Sequence, residues 1–126
     1  MRLSLERRRK SQVARFQEIL RRLTILDEKF VTAGFALDLP EVAALDAKTA
    51  ALLQVAVSVA LDLSEACVHW SVGRALAAGA SEDEITDVLL AIAPLAGVGR
   101  VVSAAPEVAA GLEYDVEAGL MERNGH

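Results

Sequence analysis

In 126 residues there is one cysteine, one tryptophan, one tyrosine and three prolines, and aromatic residues make up only 4%. A single thiol cannot close an internal disulfide, which fits a reducing, cytoplasmic setting. With so few rings, the 53% hydrophobic content comes mainly from Ala, Val and Leu, a composition suited to close helix packing. Long apolar runs are missing as well. The longest stretches, Ala50–Leu61 (interrupted by Gln54 and Ser58) and Val88–Val98, are too short to cross a bilayer as helices. The basic start is not followed by an apolar run, so no secretory signal is expected. Strand-like alternation is absent throughout. Gly97 and Gly99 make no phosphate loop, because no strand precedes them and no Lys-Ser/Thr follows.

Positive charge is scarce overall, with 13 Lys and Arg against 18 Asp and Glu and a formal net charge of −5. Such a balance does not advertise nucleic-acid binding. The distribution is uneven, however. Arg2, Arg7, Arg8, Arg9, Lys10, Arg15, Arg21 and Arg22 all fall before residue 23, opposed there only by Glu6 and Glu18. Leu5, Val13, Phe16, Ile19, Leu20 and Leu23 recur at three- and four-residue steps, which predicts a helix over Met1–Leu23. The plain reading is an arm that packs by its apolar stripe. The alternative is an interaction module whose basic arm docks on an anionic surface. No aromatic interleaves with Arg7–Arg9 to stack on bases, which weighs against nucleic acid.

What is present divides into residues 1–34, a basic helical arm with a short helix; 45–114, a helical domain; and 115–126, a polar tail expected to fray. One domain with a modest core suits this length. Thr24 is expected to cap the short helix Ile25–Ala33 and Gly34 to end it, with Phe30 and Phe35 in the core. Pro40 punctuates the connection, with a turn near Glu41–Ala44. Asp46 caps a helix over Ala47–Leu61 that is apolar on nearly every face. A small monomer has little to enclose such a helix, so a homo-oligomer is expected.

The organising stretch is Leu63–Glu84. Ser64 suits a helix N-cap and Gly79 a left-handed C-terminal residue. Ser81 with Glu84 then makes a capping box. Beyond it, a helix over Glu82–Ala93 should kink or restart at Pro94 and continue over Leu95–Ala105. Pro106 fits the first turn of a last helix, Pro106–Leu112. The expected fold class is all-α, built of helical hairpins.

The chemistry-bearing side chains sit on that central helix. Ser64, Cys67 and Ser71, at i, i+3 and i+7, share a face and are the catalytic candidates. Arg74, His69 and Trp70 are candidates for substrate binding. His69 lies only two residues from Cys67, so it points about 200° away around the helix and is no partner for the thiol. Plainer readings stand beside these. Cys67 suits a small buried hydrophobe, Trp70 a core or interface position, and Arg74 an ion pair with Glu82 or Asp83. Glu65 and His69 can pair at i, i+4, and His126 needs no function. Cys67 and His69 lack metal-ligand spacing, so neither metal nor cofactor is expected.

These segments resemble the carboxymuconolactone decarboxylase family, which includes the alkylhydroperoxidase D type proteins. The resemblance is carried by LDAKTAALLQVAVSVAL (Leu45–Leu61), the Ser64–Gly79 helix, GASEDEITDVLLAIAP (Gly79–Pro94) and Gly97. It implies an all-α fold assembled as trimers or hexamers, with hydroperoxide reduction or lactone decarboxylation as the activity and a small-molecule ligand near Cys67. It also implies a relay of Cys-x-x-Cys-x-x-x-His on the reactive helix with a Glu from the preceding helix, which lowers a thiol pKa. Aligned on Gly79 and Glu84-Ile85, the first Cys falls on Ser64, the second on Cys67 and the His on Ser71. No acid stands between Ala47 and Leu61. The resemblance thus implies a divergent member that keeps only Cys67 of the relay, or else a single-cysteine antioxidant enzyme using Cys67.

Overall fold

Each helix of the domain begins at a side chain able to cap it or at a residue that breaks the helix before it. In the computed structural model, which describes residues 14–29, 32, 42 and 44–124, the Asp46 carboxylate accepts from the Thr49 amide at 2.7 Å. That cap opens α1, Ala47–Ala60. The Ser64 hydroxyl accepts from the Cys67 amide at 3.2 Å and opens α2, Glu65–Ala77. Ser81 and Glu84 bond each other's backbone amides at 3.0 and 2.9 Å, a complete capping box for α3, Glu82–Ala96. α4 spans Val98–Gly111 and α5 spans Val116–Asn124. No strand occurs among the described residues. The fold is all-α.

The chain separates into two units, Met1–Glu41 and Val42–His126. In the first, residues 14–24 are helical, with Phe16, Leu20 and Leu23 along one exposed stripe and Glu18 holding Arg21 and Arg22 at 2.8 and 3.0 Å. Thr24 does not cap a following helix. It ends this one, and its hydroxyl donates to the Leu20 carbonyl at 2.7 Å. The expectations for Arg7–Arg9, Lys10, Phe30, Phe35, Pro40, Glu41 and His126 lie outside the described residues.

In the second unit α1 is central and packs against α2, α3 and α4, while α2 also packs against α4. The core is drawn from every one of these: Ala51, Val55 and Val59 of α1, Val68, Val72 and Ala75 of α2, Ile85 and Leu89 of α3, and Val108 of α4. All are aliphatic, as the scarcity of aromatics requires. Burying each larger side chain contributes on the order of 1.5–3 kcal/mol. The small residues bring helices close. A Cβ placed on Gly111 would stand 2.8 Å from Val72 Cγ1, so the α4 backbone at Gly111 lies directly on the Val72 side chain of α2.

The ends of α1, α2 and α4 share one device. At the end of α2, the Gly79 amide donates to the Leu76 carbonyl and the Ala80 amide to that of Ala75, with Gly79 at φ +96°. This is a Schellman motif with glycine where the left-handed residue is needed. The same paired bonds close α1 through Asp62 and α4 through Glu113, at φ +54° and +59°. Neither of those residues is glycine.

Three boundaries differ from expectation. α3 runs through Pro94 to Ala96, and the break falls at Gly97, whose φ is +94°. Pro94 is exposed, so the carbonyl it leaves without a donor can meet water, whereas the sharp turn needs glycine. Pro106 likewise sits inside α4 rather than opening a helix. Part of the expected polar tail is helical, because the Asp115 carboxylate accepts from the Ala118 amide at 3.1 Å and caps α5.

Candidate functional site

The reactive-helix candidates are dealt by α2 to different surroundings. Ser64 is its N-cap, and Cys67 lies in the first turn with its amide bound to the Ser64 hydroxyl. The Cys67 side chain is free and exposed in the single chain, not the small buried hydrophobe expected of a thiol without relay partners. The physical reason is its place in the first turn. The core residues of α2 begin only at Val68 and continue through Val72 and Ala75.

Ser71, one turn further on, is 2% exposed. Its hydroxyl donates to the Val68 carbonyl at 2.9 Å and lies 3.1 Å from the hydroxyl of Ser58 on α1. Ser58 in turn donates to the Val55 carbonyl at 2.8 Å. A buried hydroxyl without a partner is costly, and this pair satisfies itself together with the carbonyls of its own helices. Two protons serve three contacts, so the hydroxyls must share. The position that the family resemblance gives to the relay base is therefore a neutral, closed polar pair in the core.

The other three candidates also find partners. Arg74 lies over the Trp70 ring, 5.4 Å from its centre, and not against Glu82 or Asp83. Trp70 is 48% exposed in the single chain, so it is no core residue. No hydrogen bond or ion pair links Arg74 to the Cys67 thiol among the described residues. Seven residues along a helix amount to about 10 Å of rise. His69 approaches Glu107 of α4, with Nδ1 3.8 Å from the carboxylate, rather than Glu65 on its own helix. At that length the contact is an ion pair when His69 is protonated and not a hydrogen bond.

A cleft of about 350 Å³ opens at the N-terminal end of α2, against α1 and α4. Ser58, Ser64, Val68, Ser103 and Glu107 line it, with Asp62 and Glu65 as its further acids. Of the six sequence candidates only Ser64 borders it. Ser58, Ser103 and Glu107 were not singled out from the sequence. Ser58 left a signal, being one of two polar residues that interrupt the apolar run of α1. Ser103 and Glu107 left none, since a polar residue on a surface helix is ordinary.

The clearest electrostatic perturbations lie elsewhere. Glu84 is held below the usual carboxylate range, first by the Ser81 amide of the capping box and then by Lys48, which it meets at 3.0 Å. Asp46 is lowered by its bonds to Thr49. Both are helix-cap effects. Among the described residues no three His, Cys, Asp or Glu side chains gather as they would to hold a metal ion. Nor is any helix there long and apolar enough to cross a membrane.

This is an all-α domain of packed hairpins, with a capped helix carrying its only thiol in the first turn and a capping-box helix behind a Schellman glycine. The chain belongs to the carboxymuconolactone decarboxylase family, whose model matches residues 26–110. No curated protein and no solved structure gives a significant match.

Proposed function

We propose that the chain is a divergent carboxymuconolactone decarboxylase-like protein in which the dithiol peroxidase relay does not operate, and that it works as a homo-oligomer, trimeric or hexameric. The observation that carries the first part is the buried Ser58–Ser71 pair. A relay needs a group there that can take a proton from a thiol. A serine hydroxyl bound to a second serine in an apolar core is far too weak a base near neutral pH. Ser64 occupies the other thiol position, so Cys67 has no resolving partner on its helix. The resemblance also places a His of the decarboxylase branch at the Ser71 position, where this sequence has serine. The test supplies hydroperoxide with a dithiol reductant, and separately the muconolactone carboxylate. Neither should turn over.

A second reading is favoured by the exposure of Cys67 in a helix first turn, where the macrodipole favours an anion. In a single-cysteine enzyme the thiolate would attack the terminal peroxide oxygen, the O–O bond would break, and the alcohol would leave as sulfur became a sulfenic acid. An external thiol would then reduce it through a mixed disulfide. Trapping with dimedone decides this. A peroxide-dependent adduct on Cys67 supports the single-cysteine enzyme, and no adduct leaves the divergent member.

A further inference from the structure

The apolar outer face of the domain is not accounted for by catalysis. α1 and α3 run in parallel beside each other. Lys48 meets Glu84 near their starts, and Ala56, Val57 and Ala60 face Ala91, Ile92, Leu95 and Ala96 towards their ends across a groove of about 470 Å³. Arg100 is the one charged side chain in that groove, and it makes no ion pair with the described residues. Leu95 is 95% exposed, and Val57 and Leu61 stand more than half out of the surface. Leu53 continues the stripe one turn before Val57. We infer that a second copy of this chain fills the groove, seating large side chains such as Leu95 over the alanines.

Three features select that occupant. The face carries both parts of a ridge-into-groove contact, a floor of alanines and protruding leucine and valine, so a copy brings complementary parts. Its size is substantial. Two adjacent helices about 9 Å apart and about 20 Å long offer a face of several hundred Å², about half of the roughly 800 Å² per partner in a standard interface. Its charge also fits. With Arg100 alone in the groove, little there would steer a charged partner, whereas buried interface cores are depleted of charge. The arm helix is the rival occupant, since it too shows an apolar stripe, and the arm variant below tests it.

This inference rests on the homo-oligomer proposed above, and one experiment separates the two. Sedimentation of the full chain at micromolar concentration is compared with Leu95→Glu, with Leu120→Glu (an exposed apolar residue on α5) and with Leu20→Asp on the arm. Leu95 is nearly fully exposed in the single chain, so its replacement should leave far-UV circular dichroism unchanged. The expected result is an oligomer for wild type, Leu120→Glu and Leu20→Asp, a monomer for Leu95→Glu, and little change for wild type between 0.1 and 1 M salt, a range in which about 10 Å of Debye length falls to about 3 Å. A monomeric wild type overturns both the oligomer and this face. An oligomer that survives Leu95→Glu, or one that Leu120→Glu also dissolves, overturns the face alone. Dissociation by Leu20→Asp with Leu95→Glu intact assigns the contact to the arm instead.

Discussion

The hydroxyls of Ser58 and Ser71 lie 3.1 Å apart between α1 and α2, and each also reaches a carbonyl one turn back in its own helix. Both residues are almost fully buried. The contact ties together the two helices that flank the candidate site, and it fills with neutral groups the place where a proton relay would run. Removing either hydroxyl leaves the other one bonded to its own carbonyl. Ser58→Ala and Ser71→Ala should therefore each cost only about 1 kcal/mol by urea unfolding, and the double variant less than the sum.

Restoring the family's base by a single change should fail. Ser71 sits against Ser58 with 2% of its surface exposed, and an imidazole there has to displace packed neighbours and leave a ring nitrogen without a partner. Ser71→His is expected to lower stability by about 2 kcal/mol or more, read as a fall in the urea midpoint, and to yield no activity.

The approach of α4 to α2 predicts a second sensitive position. Gly111→Ala puts its methyl 2.8 Å from Val72 Cγ1 and should cost about 1–3 kcal/mol. Combining it with Val72→Ala makes room, so the pair should be less damaging than the separate changes summed. Additive losses would mean that the helices do not meet there.

Three helix ends among the described residues, at Leu26, Asp62 and Glu113, are closed by left-handed residues other than glycine. Glu113, at φ +59°, carries no cap interaction that glycine would forfeit. Glu113→Gly should raise stability by about 0.5–1 kcal/mol by relieving the Cβ contact of that conformation. Gly79→Ala, at φ +96°, should lower it, and thermal unfolding of the two variants distinguishes the signs.

Acid should weaken the α1–α3 junction through Glu84. Its folded-state pKa lies below the ordinary 4.5 because the Ser81 amide and Lys48 favour the anion. A depressed carboxylate contributes stability above its unfolded pKa and loses it as pH falls through the folded value. Glu84→Gln should therefore be less stable than wild type at pH 7, and the gap should be smaller at pH 3. An equal gap at both would contradict the assignment.

The capped helix starts were readable because capping depends on short-range chemistry. Asp46, Ser64 and the Ser81–Glu84 box all bond within three residues, and Gly79 marks its own turn. The Schellman ends at Asp62 and Glu113 were hidden because neither residue advertises a positive φ. Pro94 and Pro106 misled for the converse reason: a proline breaks a helix by local rules, yet both are carried within helices on exposed surface. For the site, helix geometry separated Cys67 from His69, and His69 approaches Glu107 of α4. The Ser58–Ser71 contact joins residues on different helices, and no pattern within either helix reveals its partner. The burial of Cys67 was misjudged because chemistry alone suggested an inward thiol, while the core of α2 starts one residue later.

The most direct test of the central claim is steady-state hydroperoxide consumption by the full chain with a dithiol reductant, compared with Cys67→Ser. With the base position filled by a buried serine pair and no resolving thiol, the two proteins should match the protein-free rate. Repeated turnover by wild type that vanishes in Cys67→Ser would show that Cys67 works as a single-cysteine peroxidase, and would contradict the account.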